Sequence, residues 1–146
     1  MIIKIFIGCD HVAVDLKKTI VNLLNEKNHS IEDIGVHSNH RVDYPGIAFE
    51  VAENVLNHDG SQGILICGTG IGMAIAANKV KGIRAAVCSE SYSAGMSKMH
   101  NDTNILCFGS RVIGSEVAKE IVNIWIASSY EEGRHATRVK MIDERD

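Results

Sequence analysis

Hydrophobic and polar residues alternate along this chain in two rhythms, one of strands and one of helices. Ile2, Ile3, Ile5, Phe6 and Ile7, interrupted only by Lys4, predict a strand, which Gly8 and Asp10 end with turn and N-cap chemistry. Leu16, Ile20, Leu23 and Leu24 then recur at i, i+4, i+7 and i+8, with Asp15, Lys17, Lys18 and Asn22 between them. That spacing draws one apolar stripe down a helix, facing a sheet. Residues 30–34 predict a weaker second strand, and residues 35–43 are polar enough to be a loop. Pro45, the only proline, suits the first turn of a helix that continues through Ile47, Ala48, Val51, Ala52 and Val55 and ends near residues 57–60.

Residues 63–67 form a continuous apolar run bounded by glycines, the pattern of a central strand covered on both faces. Beyond the glycines at 68, 70 and 72, residues 73–80 are alanine-rich and helical, residues 83–88 predict a short strand and residues 90–99 a helix. Residues 104–108 predict a fifth strand, and Val117, Ile121, Ile124 and Trp125 trace a last stripe, with Ser115 as its N-cap. From about residue 131 the chain is charged and falls outside the rhythm. Five strand–helix units with short connections imply an α/β fold, a three-layer α/β/α sandwich around a Rossmann-like five-stranded parallel sheet. In such sheets ligands bind beyond the carboxyl ends of the strands.

A length of 146 residues suits a single domain spanning 1–146, and 45% hydrophobic with 23% charged residues is the balance of a chain that can bury a core. With 15 Lys+Arg against 18 Asp+Glu and a net charge of -3, no global positive field exists to hold nucleic acid or an anionic membrane. Any anion must be met by local groups. The longest apolar runs fall far short of the roughly 18 residues of a membrane span, and residues 1–7 do not read as a signal peptide. A cytoplasmic protein is expected. The four cysteines at 9, 67, 88 and 107 form no C-x-x-C pair, so free thiols are expected.

The first, third and fifth strands are expected to place Asp10 and His11, residues 67–72, and Ser110 and Arg111 on one rim. Cys67-Gly68-Thr69-Gly70-Ile71-Gly72 joins a buried strand to a helix. Its backbone N–H groups can turn toward an anion or a developing oxyanion. The alternative is a tight turn that needs positive φ and nothing more. Neither register of the run places a third glycine where a dinucleotide fingerprint needs one, since Met73 and Ile75 occupy those positions, and no Gly-Lys-Ser/Thr follows for a nucleotide phosphate loop. A cysteine at the end of a buried strand is more often an inert small hydrophobe than a nucleophile or base. Cys67, however, directly precedes a helix N-terminus, which favours a thiolate. The other three cysteines lack that setting and are expected in the core.

His100 precedes the fifth strand and His11 follows the first, so two imidazoles could reach the same rim as acids or bases. A surface histidine, with Asn101 as a helix C-cap, is the equally weighted alternative. No histidine pair has helical metal-ligand spacing and no cysteine pair supports zinc, so no metal is implied. Arg134 and Arg138 stand one helical turn apart. They suit either bidentate binding of a phosphate or an exposed face balanced by Glu131, Glu132 and Asp143.

Gly8-Cys9-Asp10-His11, Asp43-Tyr44-Pro45, residues 66–72, Ala77-Asn78-Lys79, residues 100–104, residues 108–111 and Gly133-Arg134-His135 together resemble the type B ribose-5-phosphate isomerases, a family that also contains galactose-6-phosphate isomerase. The resemblance spans nearly the whole chain. It implies a cofactor-free aldose–ketose isomerase, with ribose 5-phosphate and ribulose 5-phosphate as the substrate pair and a place in pentose phosphate metabolism. By that resemblance Cys67 is the base that moves a proton between adjacent carbons through an enediolate. Thr69 and the amides of Gly68, Gly70, Ile71 and Gly72 stabilise the oxyanion. His100, helped by Asp10, opens the sugar ring, and Tyr44 and Asn101 hold the substrate. His11, Arg134 and Arg138, with Arg111, bind the phosphate. The resemblance further implies a homodimer or dimer of dimers with active sites at the interface. A six-carbon sugar phosphate such as allose or galactose 6-phosphate, or a noncatalytic sugar-phosphate-binding regulator, are the competing readings.

Overall fold

The structure, a computed structural model, describes residues 1–146. Strands β1 (Lys4–Cys9), β2 (Ser30–Gly35), β3 (Gln62–Cys67), β4 (Ala85–Val87) and β5 (Ile105–Gly109) alternate with helices α1 (Val14–Glu26), α2 (Pro45–Asn57), α3 (Ile71–Ala77), α4 (Ser91–Asn101) and α5 (Ser115–Ala127). The strands form one sheet in the order β2-β1-β3-β5-β4, and every neighbouring pair is parallel. The expected alternation and parallel sheet are therefore both present, with β3 at the centre.

Because successive side chains of a strand leave opposite faces, each strand feeds two cores. Ile5, Ile7 and Cys9 of β1, Ile64 and Ile66 of β3 and Leu106 and Phe108 of β5 pack with α1, α5 and Ala94 of α4. Phe6, Leu65, Cys67, Ile105 and Cys107 pack on the other face with α2 and α3. This is the physical reason that β3 reads as an unbroken apolar run. Helix α2 lies close because the sheet is glycine beneath it: a Cβ on Gly8 would stand 2.6 Å from Ile47, and one on Gly63 2.9 Å from Val51.

Several local expectations differ from the structure. Helix α1 begins at Val14, and Asp10 caps nothing in it; the Asp10 carboxylate instead accepts the Val12 N–H at 3.1 Å. Ser115 is the first residue of α5 and not its cap, a position that Gly114 occupies. Lys17, placed with the polar residues of α1, is buried. The charged C-terminal segment does not stay outside the rhythm altogether, because it forms a sixth helix, α6 (Arg134–Asp143), with His135 and Val139 turned inward.

Candidate functional site at the carboxyl rim

Parallel strands put all their carboxyl ends on one edge. There Asp10 N–H donates to Ile66 O at 3.1 Å, Ser110 N–H to Cys67 O at 2.8 Å and Arg111 N–H to Gly68 O at 3.1 Å, while the Ser110 hydroxyl reaches Val12 O at 3.3 Å. The chain segments leaving β1, β3 and β5 are thus stitched together, as the sequence predicts. They enclose a cleft of about 600 Å³ whose lining includes Asp10, His11, Arg41, Tyr44, Gly68 and Arg111.

The turn from β3 into α3 adjoins this cleft and lines it through Gly68. Gly70 has φ +83°, and a Cβ there would stand 2.8 Å from the Phe108 backbone, so both its conformation and its surroundings require glycine. A Cβ on Gly72 would collide with the Tyr44 hydroxyl, which shows how closely Tyr44 lies over this turn. Within the turn the Gly70 N–H donates to Cys67 Sγ at 3.1 Å, and the Ile71 N–H to Thr69 Oγ1 at 3.2 Å. An amide aimed at sulfur interacts more strongly with a thiolate than with a thiol. Cys67 is 5% exposed, at the end of its strand and directly before the cleft-lining Gly68.

The other three cysteines are chemically distinct. Burial pushes the Cys9 thiol up to about 11, raises Cys88, and raises Cys107 well above its ordinary value. All four are free, as expected, and these three are core thiols.

His11 is fixed by a backbone group. The Val42 N–H donates to His11 Nδ1 at 3.3 Å, so the proton of the neutral ring resides on Nε2. Nε2 is thereby set up as an N–H donor, the character needed to bind an anion.

His100 and Asn101 lie elsewhere in the same chain. Helices return antiparallel to the strands, so the C-terminal end of α4 sits at the opposite edge of the sheet from the cleft. The Lys98 ammonium there donates to Gln62 Oε1, at the first residue of β3, at 2.6 Å and to Thr103 O at 2.9 Å. The two imidazoles of His11 and His100 therefore do not meet on one rim of one chain. Asn101 is the last helical residue and not the cap; Asp102, left-handed at φ 48°, takes that place.

At this second edge His100 stacks on His135, with ring centroids 4.1 Å apart and an interplanar angle of 13°. Glu131 Oε1 lies 3.6 Å from His100 Nε2 and 3.7 Å from His135 Nε2. Burial, then the neighbouring His100 ring and Arg134, lower the His135 pKa against the pull of Glu131. The three groups are close enough to consider a metal ion. Stacked rings, however, keep their in-plane lone pairs in two separate, nearly parallel planes, so no single ion lies in the plane of both unless one ring turns. Arg84 clamps α6 to this corner, donating to both Asp143 oxygens at 2.9 Å and to Asp102 O at 2.9 Å. Arg134 and Arg138 stand on the exposed side of α6, one turn apart.

One chain thus brings together Asp10, His11, Tyr44, residues 67–72 and Arg111, and holds His100, Asn101, Arg134 and Arg138 in a second group. Sequence reasoning missed Arg41 and Val42, two and one residues before the quoted Asp43-Tyr44-Pro45, because residues 35–43 show only as a polar loop. It also missed Glu131 as the neighbour of both stacked imidazoles.

Residues 5–142 match the ribose/galactose isomerase family. The chain is 55% identical over 139 residues to ribose-5-phosphate isomerase B of Escherichia coli, covering 95% of this chain and 93% of that one. The solved structure of ribose-5-phosphate isomerase B from Clostridium thermocellum superposes with a TM-score of 0.95 at 50% identity, over 97% of this chain and 96% of that one. The Mycoplasma genitalium ribose-5-phosphate isomerase B, solved with bound ribulose-5-phosphate, superposes with a TM-score of 0.93 at 39% identity, over 98% of this chain and 95% of the other. A match of this extent in sequence and in fold has one meaning: the chain belongs to the ribose/galactose isomerase family.

Proposed function

We propose that the protein is an aldose–ketose isomerase that interconverts ribose 5-phosphate and ribulose 5-phosphate in the cytoplasm, within pentose phosphate metabolism. The observation that carries this reading is the Gly70 N–H directed at Cys67 Sγ at 3.1 Å, one residue before Gly68 in the lining of a polar cleft. In the open-chain aldose, the Cys67 thiolate takes the proton from C2 while the electrons of that bond flow to the C1 carbonyl oxygen, forming an enediolate. The resulting thiol returns the proton to C1, and O2 becomes the carbonyl as its own proton passes to O1. Thr69 and those amides of residues 68–72 not already engaged by Cys67 Sγ and Thr69 Oγ1 hold the charge that exists only between these two steps, where preorganised donors lower the barrier most. His100 with Asp10 opens the furanose ring, Tyr44 and Asn101 hold sugar oxygens, and His11, Arg111, Arg134 and Arg138 bind the phosphate.

These assignments need two copies of the chain. Five residue steps separate Gln62, which Lys98 of α4 touches, from Cys67, or about 16 Å of strand. An open-chain five-carbon sugar phosphate has about seven bonds of ~1.5 Å from O1 to phosphorus and spans less than their sum. One substrate therefore cannot touch both groups of a single chain, and a homodimer in which the α4–α6 corner of one protomer faces the cleft of the other solves the problem. In support, α3 presents Ile71 and Ile75 at 53% and 61% exposure, and α6 presents Met141 and Ile142 at 68% and 56%.

Replacing Cys67 with Ala should reduce turnover of ribose 5-phosphate by at least about a thousandfold, with phosphate binding retained. Full activity in that variant refutes the cysteine base. Comparing kcat/KM for ribose 5-phosphate and allose 6-phosphate separates pentose from hexose specificity, and saturable binding without turnover of either sugar favours a regulator.

A further inference from the structure

We propose that Lys17 is a positioning residue whose buried ammonium sets the loop of residues 36–43 against the cleft, an inference that rests on the sugar-phosphate reading of that cleft for its kinetic consequence. Lys17 is 1% exposed on α1, among apolar neighbours. Its Nζ donates to Asp33 Oδ1 at 2.7 Å and to Val36 O at 2.6 Å. Asp33 Oδ1 also accepts the Gly35 N–H at 2.9 Å, and His37 Nδ1 lies 3.7 Å from the other carboxylate oxygen. Val36 N–H donates to Cys9 O at 3.0 Å. The register between β1 and β2 shifts at this place, with Ile7 opposite Asp33 and Gly8 opposite Gly35.

These contacts tie down the chain where it leaves the sheet. Six residues later the same segment delivers the Val42 N–H to His11 Nδ1, and the neighbouring Arg41 lines the cleft. A buried ion pair is a poor device for stability, because removing two charges from water costs about as much as their attraction returns. A leucine or methionine at position 17 would fill the α1 stripe equally well. What an apolar residue cannot do is hold a carboxylate and a carbonyl on two sides of a turn. The ammonium therefore fixes where the loop starts, and so where His11 finds its amide and where Arg41 points.

The test is Lys17→Met, assayed by hydrogen exchange resolved along the chain and by steady-state kinetics with ribose 5-phosphate. Exchange over residues 36–43 should rise about tenfold or more while β1, β3 and β5 keep their protection. KM should rise about tenfold, with kcat changed less than about threefold. Unchanged exchange and KM in the folded variant overturn the proposal, as does exchange that rises uniformly across the molecule, which would make Lys17 a contributor to global stability alone. Should Lys17→Met not fold, Asp33→Asn, which leaves the Lys17 contact to Val36 in place, is read by the same local-versus-uniform criterion. If the wild-type protein turns over no sugar phosphate, the proposed activity falls while the exchange result still decides whether Lys17 holds the loop.

Discussion

Cys67 differs from three neighbours of identical chemistry only through its surroundings, and that difference is open to direct measurement. Cys9, Cys88 and Cys107 are held neutral by burial, while the Cys67 sulfur receives an amide N–H beside the cleft. Iodoacetamide at neutral pH should therefore label Cys67 first, by about tenfold or more in rate, and ribose 5-phosphate should slow it. Peptide mass mapping reads the site, and preferential labelling of Cys9 or Cys107 would contradict this account. Lys98 gives a second prediction at the same scale. Burial lowers its pKa to about 8, against the pull of Asp102, although its ammonium lies 3.9 Å from the centre of the Trp125 ring. Between pH 8 and 10.5 the unfolded chain then binds more protons at this position than the native one, so the contribution of Lys98 to stability rises with pH over that window. The whole interval amounts to on the order of 3 kcal/mol. Cys9, raised to about 11 from 9.0, acts oppositely: its contribution is present below pH 9 and is lost as pH rises toward 11. The Lys98 effect is isolated by subtracting Lys98→Met. In urea unfolding the wild-type stability minus that of the variant should grow from pH 7 to pH 9, and a constant difference sinks the assignment.

At the scale of elements, the turn from β3 to α3 is where backbone conformation and chemistry coincide. Gly70→Ala would place a Cβ at 2.8 Å from the Phe108 backbone at a φ of +83°. It should cost about 2 kcal/mol or more of stability and lower kcat by pulling the N–H off the sulfur, measurable by thermal unfolding and by turnover of ribose 5-phosphate. Gly46→Ala in α2 is the control, since nothing lies within 4 Å of a Cβ there. These elements were also the legible part of the sequence. Strand β3 and helix α2 announce themselves because alternation, an apolar run and a proline at the first turn are local signals. Lys17 was illegible because its partners, Asp33 and Val36, come from the following strand and loop. The cap at Ser115 was misread by one residue because serine suits both the cap and the first turn. Asp10, His11, residues 67–72, Ser110 and Arg111 could be read onto one rim because parallel strands share an edge, whereas Tyr44 before α2 was legible only through the family resemblance. His100 could not be placed by the same logic, since a helix between two parallel strands runs the other way and carries its last residues to the far edge.

For the molecule as a whole, that far edge is decisive. The cleft group and the α4–α6 group are held rigidly apart in one chain, by the sheet between them and by the clamp of Arg84 on Asp143. If the proposed dimer joins them, each active site draws Cys67 from one protomer and Arg138 from the other, and a two-fold arrangement makes two such sites. Cys67→Ala and Arg138→Ala homodimers are then each defective at both sites. In a mixed dimer, both lesions fall together in one site, and the other site receives a native Cys67 and a native Arg138. Unfolding and refolding an equal mixture gives about half mixed dimers, each with one intact site of two. The mixture should therefore recover about a quarter of wild-type activity per chain, far above either variant alone. A site built within one chain predicts the opposite, because every site would still carry one of the two lesions and remixing would restore nothing. The complementation test thus separates a shared site from a self-contained one without an atomic structure of the assembly, and recovery of activity would make the separation of the two groups the reason for pairing.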